Sequence, residues 1–588
     1  MRNILIQIRK SLLLSTLLFS ALVNILMFPA HSNEQAIITF ADTVLRNGEI
    51  YTTQEKSPWA TSVAIQNDRI IFVGNDQDVE QYIGPNTQLY ELGDKLVLPG
   101  LFDAHTHPGM VAISENTIEL QPSENLDELY NSIRTMVKEN PNQEILIGGY
   151  WENSLFDAKG PHKRDLDKIE SERPIILYDA WAHSIWANSK ALEMAGVTRE
   201  TPDIVPGFSF YQRDENGDPT GWITESASSV FINNFQSVTP KVEQSLLEFL
   251  TYLRNAGVTT VLDGGNFGLD NEIYAAVSRI DKASKLPLRY HGAYTLFLPE
   301  ELTTAVSSLE NLAARYNSEK VKIDTLKVFL DGIIETRTAD MVDDYLDTPG
   351  NSGSSLLNRE QIHGLILELN AKGYNLHVHS VGNQAVKTVL GAVEDAHRTL
   401  SAQPNITITM CHIEVVDDED FKRFKELGII ASFTPHWLGI TGEDAVPAIG
   451  DKAFSLMRAQ PLISDGAVFT FSSDITDYIE WKSDRASPFV GMQIGHNRQV
   501  IEGGPTAPIG RPQSERLQRI DLVDGYTKNA AMQFDRSGEL GSILVGAKAD
   551  LIILNQNLFK VDRYDIHKTK PIAVFQDGKM TYGTLKQY

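Results

Sequence analysis

The stretch LVLPGLFDAHTHPG, residues 96–109, decides the fold, because an apolar run here meets a proline and a glycine and then two histidines. A short apolar run bounded by such turn residues is typical of a buried strand. Side chains two positions apart on a strand point to the same face, so His105 and His107 can converge on one metal ion. Alone, the pair is equally compatible with a structural or solvated role at a strand end.

Seven further β-rich apolar runs end in small or polar residues, which makes eight with the first. They lie at 257–265, 286–295, 324–332, 374–382, 405–415, 428–437 and 466–474. Helical stretches such as REQIHGLILELNAKG and NQAVKTVLGAVEDAHRTL lie between most of them. Eight strands alternating with helices predict an α/β fold, a parallel (β/α)8 TIM barrel with its active site at the carboxyl ends of the strands.

Both ends of the chain read as short strands joined by hairpin turns. We therefore predict a discontinuous small β-sandwich domain, built from residues 33–97 and 535–588, beside a barrel at residues 98–534. The span from about 111 to 240 is too long for one crossover between barrel strands, which indicates a structured insertion after barrel strand 1. Insertions at that end of a barrel usually cover the site and select the substrate.

The N-terminal end has the pattern of a targeting segment. A basic stretch ending at Lys10 precedes an apolar run, residues 11–28, and Ala30 and Ser32 occupy the small-residue positions of a cleavage site. This pattern predicts a signal peptide, residues 1–32, and a periplasmic or secreted protein without stable membrane association after cleavage. The alternative is an uncleaved N-terminal membrane anchor, because the apolar stretch is about as long as a membrane-spanning helix.

The amino-acid composition and net charge limit which molecules the protein is expected to bind. The chain has 588 residues, of which 42% are hydrophobic, so it is globular. Acidic residues outnumber basic ones 77 to 52, and the formal charge of -25 argues against nucleic acid and against a cationic membrane patch. We therefore expect a small-molecule substrate, while the oligomeric state stays open, with a homodimer as one option.

The single cysteine, Cys411, excludes an intramolecular disulfide. Its position beside His412 invites a nucleophile interpretation, but no acyl-transfer motif surrounds it. We interpret Cys411 as a small buried thiol.

Further candidate ligands fall on other predicted strands. His379 and His412 lie near the ends of the fifth and sixth runs, Asp474 closes the eighth, and Lys327 lies within the fourth. Four imidazoles and a carboxylate at one rim suit Zn²⁺ or a similar first-row ion, since nitrogen ligands favour such metals. We therefore predict one or two divalent metal ions at this rim, with zinc as the first choice and Mn²⁺ and Fe²⁺ open.

Six motifs in this order resemble the amidohydrolase superfamily: LPGLFDAHTHPG, LKVFLDGIIETRTADM, LHVHSVGNQAV, MCHIEV, LGIIASFTPHW and FSSD. More narrowly, they are similar to its amidohydrolase-3 branch, which includes N-substituted formamide deformylases and proteins labelled exoenzyme-regulatory. The resemblance extends to ADLIILN near the C-terminal end. Asn383 departs from it, because the family often has an aspartate there, and this puts one loop contact in doubt.

The resemblance implies a role for each candidate ligand. His105 and His107 would bind the more buried ion, and His379 and His412 the second one. Asp474 would bind metal and handle the proton as a catalytic residue, while a metal-activated hydroxide attacks the substrate carbonyl.

By the same resemblance, Lys327 would bridge the two ions after N-carboxylation. Its chemistry gives a separate reason, because a protonated ammonium has no lone pair for a cation, whereas the carboxylated form is an anion. The alternative is an unmodified lysine beside a single metal.

Three more residues are candidates for the site. The family position of His183 implies contact with the substrate carbonyl, and so a catalytic and substrate-binding role, although its tryptophan neighbours are also compatible with a core position. Arg337 either anchors a substrate anion or pairs with Glu335 or Asp340. His436, at the end of the seventh run, either lines the substrate pocket or belongs to the rim.

Other aromatic and imidazole groups have two interpretations. His377 shares a face with His379, but the family pattern requires only the later histidine, so we expect His377 to support a ligand or to pack. Aromatic residues of the insertion indicate either an apolar substrate portion or a core; they are Tyr150, Trp151, Phe156, Trp181 and Trp186.

These observations predict an exported metal-dependent hydrolase acting on a non-peptide carbon–nitrogen bond. The substrate would be a small amide, an N-formyl compound or a cyclic amide, a preference that the resemblance alone implies. One alternative is an esterase or lactonase with the same metal site. Another is a non-catalytic regulatory or binding protein on the same fold, although all six expected ligand positions are filled.

Overall fold

Eight parallel strands form the centre of the molecule in the computed structural model, which describes residues 40–587. In chain order they are Leu101–Thr106, Val258–Asp263, Arg289–Leu296, Val321–Phe329, Asn375–Ser380, Ile408–His412, Ile430–Phe433 and Phe469–Phe471. Each coincides with a predicted run, so the (β/α)8 barrel is confirmed. The predicted signal peptide, residues 1–32, lies outside the described residues.

The strands lie side by side in chain order from the first to the eighth. The backbone N–H of Asp474 donates to the carbonyl of His105 at 2.9 Å, so the segment after the eighth strand meets the first strand. The parallel register pairs Phe329 with His379, and Ser380 with His412. The carboxyl ends of the strands therefore share one rim, as expected for this fold.

Helices follow most barrel strands and shield the sheet from water. The helix Arg359–Lys372 begins with a capping box, in which the Asn358 side chain accepts the Gln361 N–H and the Gln361 side chain accepts the Asn358 N–H. The α-helices are Asp76–Val79, Pro108–Ser114, Leu126–Glu139, Lys163–Asp167, Ser189–Ala195, Ser229–Phe235, Pro240–Asn255, Asp270–Lys282, Ala305–Tyr316, Arg359–Lys372, Asn383–Leu400, Phe421–Leu427, Val446–Ile449, Gln460–Asp465, Tyr478–Lys482, Pro488–Asn497, Arg519–Gly525 and Lys528–Gln533.

Two mixed sheets lie beside the barrel, and one of them joins the two ends of the chain. That six-stranded sheet has the order Lys579–Gly583, Pro571–Gln576, Leu551–Leu554, Leu96–Pro99, Glu49–Tyr51 and Trp59–Ala60. The four-stranded sheet has the order Arg69–Gly74, Ser62–Gln66, Thr43–Arg46 and Gln88–Glu91. The predicted small β unit from both chain ends is therefore present, while its exact limits stay a prediction.

The predicted insertion after the first barrel strand is a sheet with its own core. Its six strands have the order Tyr211–Arg213, Pro219–Thr224, Ser184–Ala187, Ile175–Asp179, Leu146–Trp151 and Ile118–Glu119. Trp151 and Trp186 pack edge to face in that core, with ring centroids 6.2 Å apart. The sheet therefore has a packed core of its own beside the barrel rim.

The largest apolar cluster lies between the barrel strands and the surrounding helices. None of the helices between Phe40 and Gln587 combines the length and the apolar character that crossing a bilayer requires.

Candidate metal centre

The two histidines at the end of the first barrel strand face each other. Their Nε2 atoms are 3.2 Å apart, and both side chains are buried. His107 Nδ1 lies 2.9 Å from the carbonyl oxygen of Gly265, and His105 Nδ1 lies 3.0 Å from His377 Nε2. His377 therefore supports a predicted ligand, as expected for a group outside the ligand set.

These contacts fix which atoms of the pair are free to bind metal. A carbonyl oxygen can only accept, so His107 donates from Nδ1 and keeps the lone pair on Nε2. That lone pair points at His105 Nε2 and at Asp474 Oδ1, which is 3.4 Å away. The lone pairs of His107 Nε2 and Asp474 Oδ1 repel each other at this distance unless a cation lies between the two atoms. The set of ligand atoms therefore fits a metal ion.

Asp474 completes this group from the segment after the eighth strand. Its Oδ1 lies 3.6 Å from His105 Nε2, and its Oδ2 lies 3.5 Å from His412 Nδ1. The ligand atoms of His105, His107 and Asp474 all lie within 4.8 Å of one another. Burial raises the pKa of Asp474, but its interactions with the neighbouring His107, His412 and Lys327 outweigh burial, so the pKa lies below its usual range.

Burial also keeps the imidazoles neutral. It is the main cause that holds the pKa of His105 and of His379 well below the usual range, and it lowers the pKa of His412 to about 3. Neutral rings offer their lone pairs to a metal, which a protonated ring cannot do.

Lys327 lies on the fourth barrel strand, and its side chain is buried among these groups. It is 1% exposed, and its Nζ lies 3.5 Å from His105 Nε2 and 3.1 Å from Cys411 Sγ. Among residues 40–587, no carboxylate forms an ion pair with it. A buried ammonium without a paired carboxylate is costly, so this position is compatible with the predicted N-carboxylation of Lys327.

Cys411 is buried, as predicted, and it also lies closer to the ligands than the sequence indicated. Its sulfur, together with His105 and His412, forms a second trio whose ligand atoms lie within 4.8 Å of one another. Burial raises the pKa of the Cys411 thiol to about 11, which argues against a thiolate nucleophile.

His379 and His412 lie next to each other on the other side of the centre. Their ring centroids are 4.4 Å apart, although His379 belongs to neither trio. Phe329 stacks on His379 and Trp437 stacks on His412. Asp331 orients His379, because its Oδ1 lies 3.3 Å from His379 Nδ1 and also accepts the N–H of Val381.

The backbone is strained at two of the predicted ligands. His412 has a φ of 71° and Asp474 a φ of 50°, in the left-handed region that non-glycine residues rarely adopt. Such residues cost roughly 1–3 kcal/mol each and cluster at functional sites. The backbone conformation that directs both side chains to the rim therefore lowers the stability of the fold.

His183 comes from the insertion sheet and reaches the same place. Its Nδ1 lies 2.8 Å from Glu225 Oε2, and its ring centroid is 5.5 Å from that of His379. Burial lowers the pKa of His183, but the Glu225 carboxylate outweighs burial and the pKa rises to about 9. The imidazolium can therefore donate a hydrogen bond from Nε2.

All six predicted ligands line one cavity of about 880 Å³. His183, His436, Trp437 and three aromatic residues of the insertion, Tyr150, Trp151 and Trp181, also line it. Trp151, which is only 1% exposed, also packs with Phe156 and Trp186 in the core of the insertion sheet. The aromatic residues of the insertion thus divide between the two predicted roles.

The prediction for Arg337 differs from the structure. Its guanidinium pairs with Asp347, with Nε 3.1 Å from Oδ2, and it does not line the cavity. Neither Glu335 nor Asp340 is its ion-pair partner. Arg337 and Asp347 both lie in the loop between the fourth barrel strand, which ends at Phe329, and the helix Arg359–Lys372. Because this loop has no recognisable pattern, the pairing could not be predicted from the sequence.

Sequence reasoning missed the groups that hold the candidate residues in place. Asp331 is the penultimate residue of the fourth predicted run, and this position near a strand end was the available signal for it. Glu225 gave no comparable signal in the sequence. Gly264 leaves room for the histidine pair, because a Cβ there would lie 2.5 Å from the His105 ring and 3.0 Å from His107 Cε1.

The sequence matches a known family model and is similar to several characterised proteins. The model of the amidohydrolase family matches residues 88–582. The exoenzymes regulatory protein AepA of Pectobacterium carotovorum subsp. carotovorum is 28% identical over 424 residues, which are 71% of this chain and 90% of that protein. N-substituted formamide deformylase of Arthrobacter pascens is 24% identical over 554 residues, 92% of this chain and 98% of that protein.

The fold is shared with solved structures. An uncharacterized metal-dependent hydrolase from Pyrococcus horikoshii OT3 superposes with a TM-score of 0.65 at 23% identity, covering 89% of this chain and 99% of that chain.

Proposed function

The chain belongs to the amidohydrolase family, and from this premise we propose that it is an exported metal-dependent hydrolase of a non-peptide carbon–nitrogen bond in a small amide. The observation that carries the proposal is the convergence of His105, His107 and Asp474, whose ligand atoms lie within 4.8 Å of one another in a large cavity. Export is supported by the basic and apolar pattern of the N-terminal residues.

The residues present fit one or two divalent ions, with zinc as the expected metal because nitrogen donors dominate. His105, His107 and Asp474 would hold the first ion, His379 and His412 a second one, and Lys327 in its carboxylated form would be a further ligand. When bound, such ions lower the pKa of a water and polarise a carbonyl.

Asp474 is the group that moves the proton. Its carboxylate is ionised at neutral pH and lies among the ligand atoms. It would accept the proton of the attacking water and deliver it to the leaving nitrogen, while the water oxygen bonds to the carbonyl carbon and the carbon–nitrogen bond breaks.

His183 is placed to orient the substrate. Glu225 holds its Nδ1 at 2.8 Å, which leaves Nε2 free to donate to the substrate carbonyl from the insertion side of the cavity. The developing negative charge on that oxygen would strengthen the hydrogen bond in the transition state.

Among small amides, we favour N-formyl compounds with an apolar or aromatic substituent. One relative is named an N-substituted formamide deformylase and covers almost the whole chain. The aromatic side chains of Tyr150, Trp181 and Trp437 provide an apolar surface for such a substituent.

The test is hydrolysis of a panel of N-formyl, N-acyl, cyclic-amide and ester compounds by the mature protein reconstituted with Zn²⁺, Mn²⁺ or Fe²⁺. We expect turnover of N-formyl amines above that of matched esters. Faster turnover of esters or lactones would replace the amide assignment. Absence of turnover for every class in fully loaded protein would favour a regulatory role, as the name of the Pectobacterium relative suggests.

A further inference from the structure

Three phenylalanines form one side of the cavity, and we call them the phenylalanine wall. Phe267 follows the second barrel strand, Phe297 follows the third and Phe329 ends the fourth, and all three line the cavity. The ring centroid of Phe297 lies 5.1 Å from that of Phe267 and 5.5 Å from that of Phe329. Neighbouring strand ends therefore place three aromatic rings in mutual contact.

The phenylalanine wall packs directly on two of the candidate metal ligands. The Phe267 ring stacks on His107, with centroids 5.6 Å apart and an interplanar angle of 22°. The Phe329 ring stacks on His379, with centroids 4.4 Å apart and an angle of 20°. Phe297 contacts both phenylalanines and is buried. The wall therefore borders the candidate metal centre along the ends of strands two to four.

The backbone at Phe267 is in a conformation that favours glycine. Its φ is 48°, in the left-handed region, where a bulky side chain is uncommon. A glycine would adopt this conformation without strain. Strained positions of this kind cluster at functional sites. The Phe267 ring, which is half-buried at the cavity, is therefore a candidate for a role in substrate binding.

A second pair of aromatic rings lies on the opposite side of the ligands. Trp437 follows the seventh strand and stacks on His412, with centroids 5.6 Å apart. Trp181 of the insertion lies 6.3 Å from Trp437. The strands follow one another around the barrel in chain order, so the seventh strand lies across from the third. The candidate metal centre thus lies between the phenylalanine wall and a tryptophan pair.

The position of Asp474 orients the scissile bond between these two sides. Asp474 follows the eighth strand, and its Oδ2 lies 3.5 Å from His412 Nδ1. A carboxylate that delivers a proton to the leaving nitrogen must lie within hydrogen-bond reach of that atom. The nitrogen and its substituent therefore lie on the side of strands seven and eight. The acyl substituent then points the other way, towards Phe267.

From this arrangement, we propose that the phenylalanine wall determines the acyl specificity, and that Phe267 limits the acyl group to formyl. The substituent on nitrogen binds at Trp181 and Trp437. This assignment rests on the proposed amide hydrolysis and specifies its substrate class as formamides of apolar or aromatic amines. An acetyl or benzoyl group would overlap the space that the Phe267 ring occupies.

The experiment compares N-formyl-, N-acetyl- and N-benzoylbenzylamine in the wild-type protein and in Phe267→Ala, both with measured metal content. Formamides are intrinsically more reactive, so the diagnostic quantity is the change in the ratio of kcat/KM values between variants. We expect the acetyl-to-formyl ratio to rise about 10-fold or more in Phe267→Ala, because one methyl group in a binding pocket can change kcat/KM by that factor. An unchanged ratio in metal-loaded Phe267→Ala would overturn the proposal.

Three further variants make the result specific. Phe267→Leu keeps an apolar side chain and should shift the acyl ratio in the same direction by less, which provides the test if Phe267→Ala does not fold. Phe40→Ala removes a phenylalanine that is 47% exposed and outside the cavity, and it should keep the wild-type ratio. Trp437→Ala should instead change the preference between N-formylbenzylamine and N-formylmethylamine. An acyl ratio that shifts equally in Phe40→Ala or Trp437→Ala would contradict the assignment.

Calorimetric binding of formohydroxamate and benzohydroxamate to the metal-loaded protein separates this proposal from the proposed reaction. Their acyl groups differ in the same way as those of the substrates. Tighter binding of formohydroxamate that is lost in Phe267→Ala, in a protein that hydrolyses no amide, would support the wall and reject amide hydrolysis. Amide hydrolysis with the same acyl ratio in Phe267→Ala as in the wild-type protein would do the reverse.

Discussion

The Nε2 atoms of His105 and His107 face each other at 3.2 Å, and the lone pair of at least His107 points into the gap. Removal of metal should therefore lower stability as well as activity. Because an ion that binds only the folded state stabilises it by about 4 kcal/mol at a thousandfold excess over its Kd, chelation should lower the melting temperature and abolish turnover. Calorimetry and metal analysis before and after dialysis against a chelator check this, and a fully active, equally stable chelated sample would contradict it.

Asp474→Asn separates proton transfer from metal binding. The amide keeps one oxygen for a metal but cannot take a proton, so kcat should fall about 10²- to 10⁴-fold. Metal content should stay close to that of the wild-type protein. Unaltered turnover in the metal-loaded variant would remove Asp474 from the reaction.

The fold was predictable because its signal is repeated. Eight apolar runs, each ending in a small or polar residue, predict a barrel even when single strand limits are uncertain, and all eight became barrel strands. The candidate ligands were predictable for the same reason, since strand ends meet at one rim. His105 and Asp474 are 369 positions apart in sequence but adjacent in the structure.

The groups around the ligands were harder to predict because loops place them. Arg337 pairs with Asp347 in a loop, and Glu225 reaches His183 from the end of another sheet. Neither contact follows from strand or helix periodicity. The insertion shows the same limit: its aromatic residues are recognisable in the sequence, but which of them face the cavity depends on sheet packing.

Gly264 should tolerate no side chain. A Cβ there would lie 2.5 Å from the His105 Cδ2 and Nε2 atoms, so Gly264→Ala must displace the ligand. We expect a loss of about 1–3 kcal/mol in unfolding free energy from overpacking, together with weaker metal binding. Denaturation and metal titration measure both effects.

Gly364→Ala is the matched control for that substitution. Gly364 lies within the helix Arg359–Lys372, and a Cβ there would meet nothing within 4 Å. Because glycine inside a helix costs roughly 0.5–1 kcal/mol relative to alanine, this variant should be slightly more stable and bind metal normally. Normal metal affinity in Gly264→Ala would show that the His105 ring moves without consequence.

Carboxylation of Lys327 can be tested by counting the metal ions bound per chain. If the buried amine reacts with CO₂, the product anion can bridge two ions, so added bicarbonate should raise the stoichiometry towards two ions per chain. Lys327→Met should hold one ion whether or not bicarbonate is present. Native mass spectrometry with metal analysis distinguishes these cases. One metal ion per wild-type chain, both with and without added bicarbonate, would contradict the carboxylated bridge.

The His183–Glu225 pair should make stability depend on pH in a defined direction. The pKa of His183 is raised from 6.5 to about 9 in the folded protein, so the pair contributes its full stability below about pH 6.5 and loses it as the pH rises through 9. Glu225→Gln removes the main cause of that rise. The difference in unfolding free energy between wild-type protein and Glu225→Gln should therefore be largest near pH 6.5 and shrink towards pH 9, as chemical denaturation across this range can measure. If the difference in unfolding free energy stays constant between pH 6.5 and pH 9, the contact with Glu225 does not raise the pKa of His183.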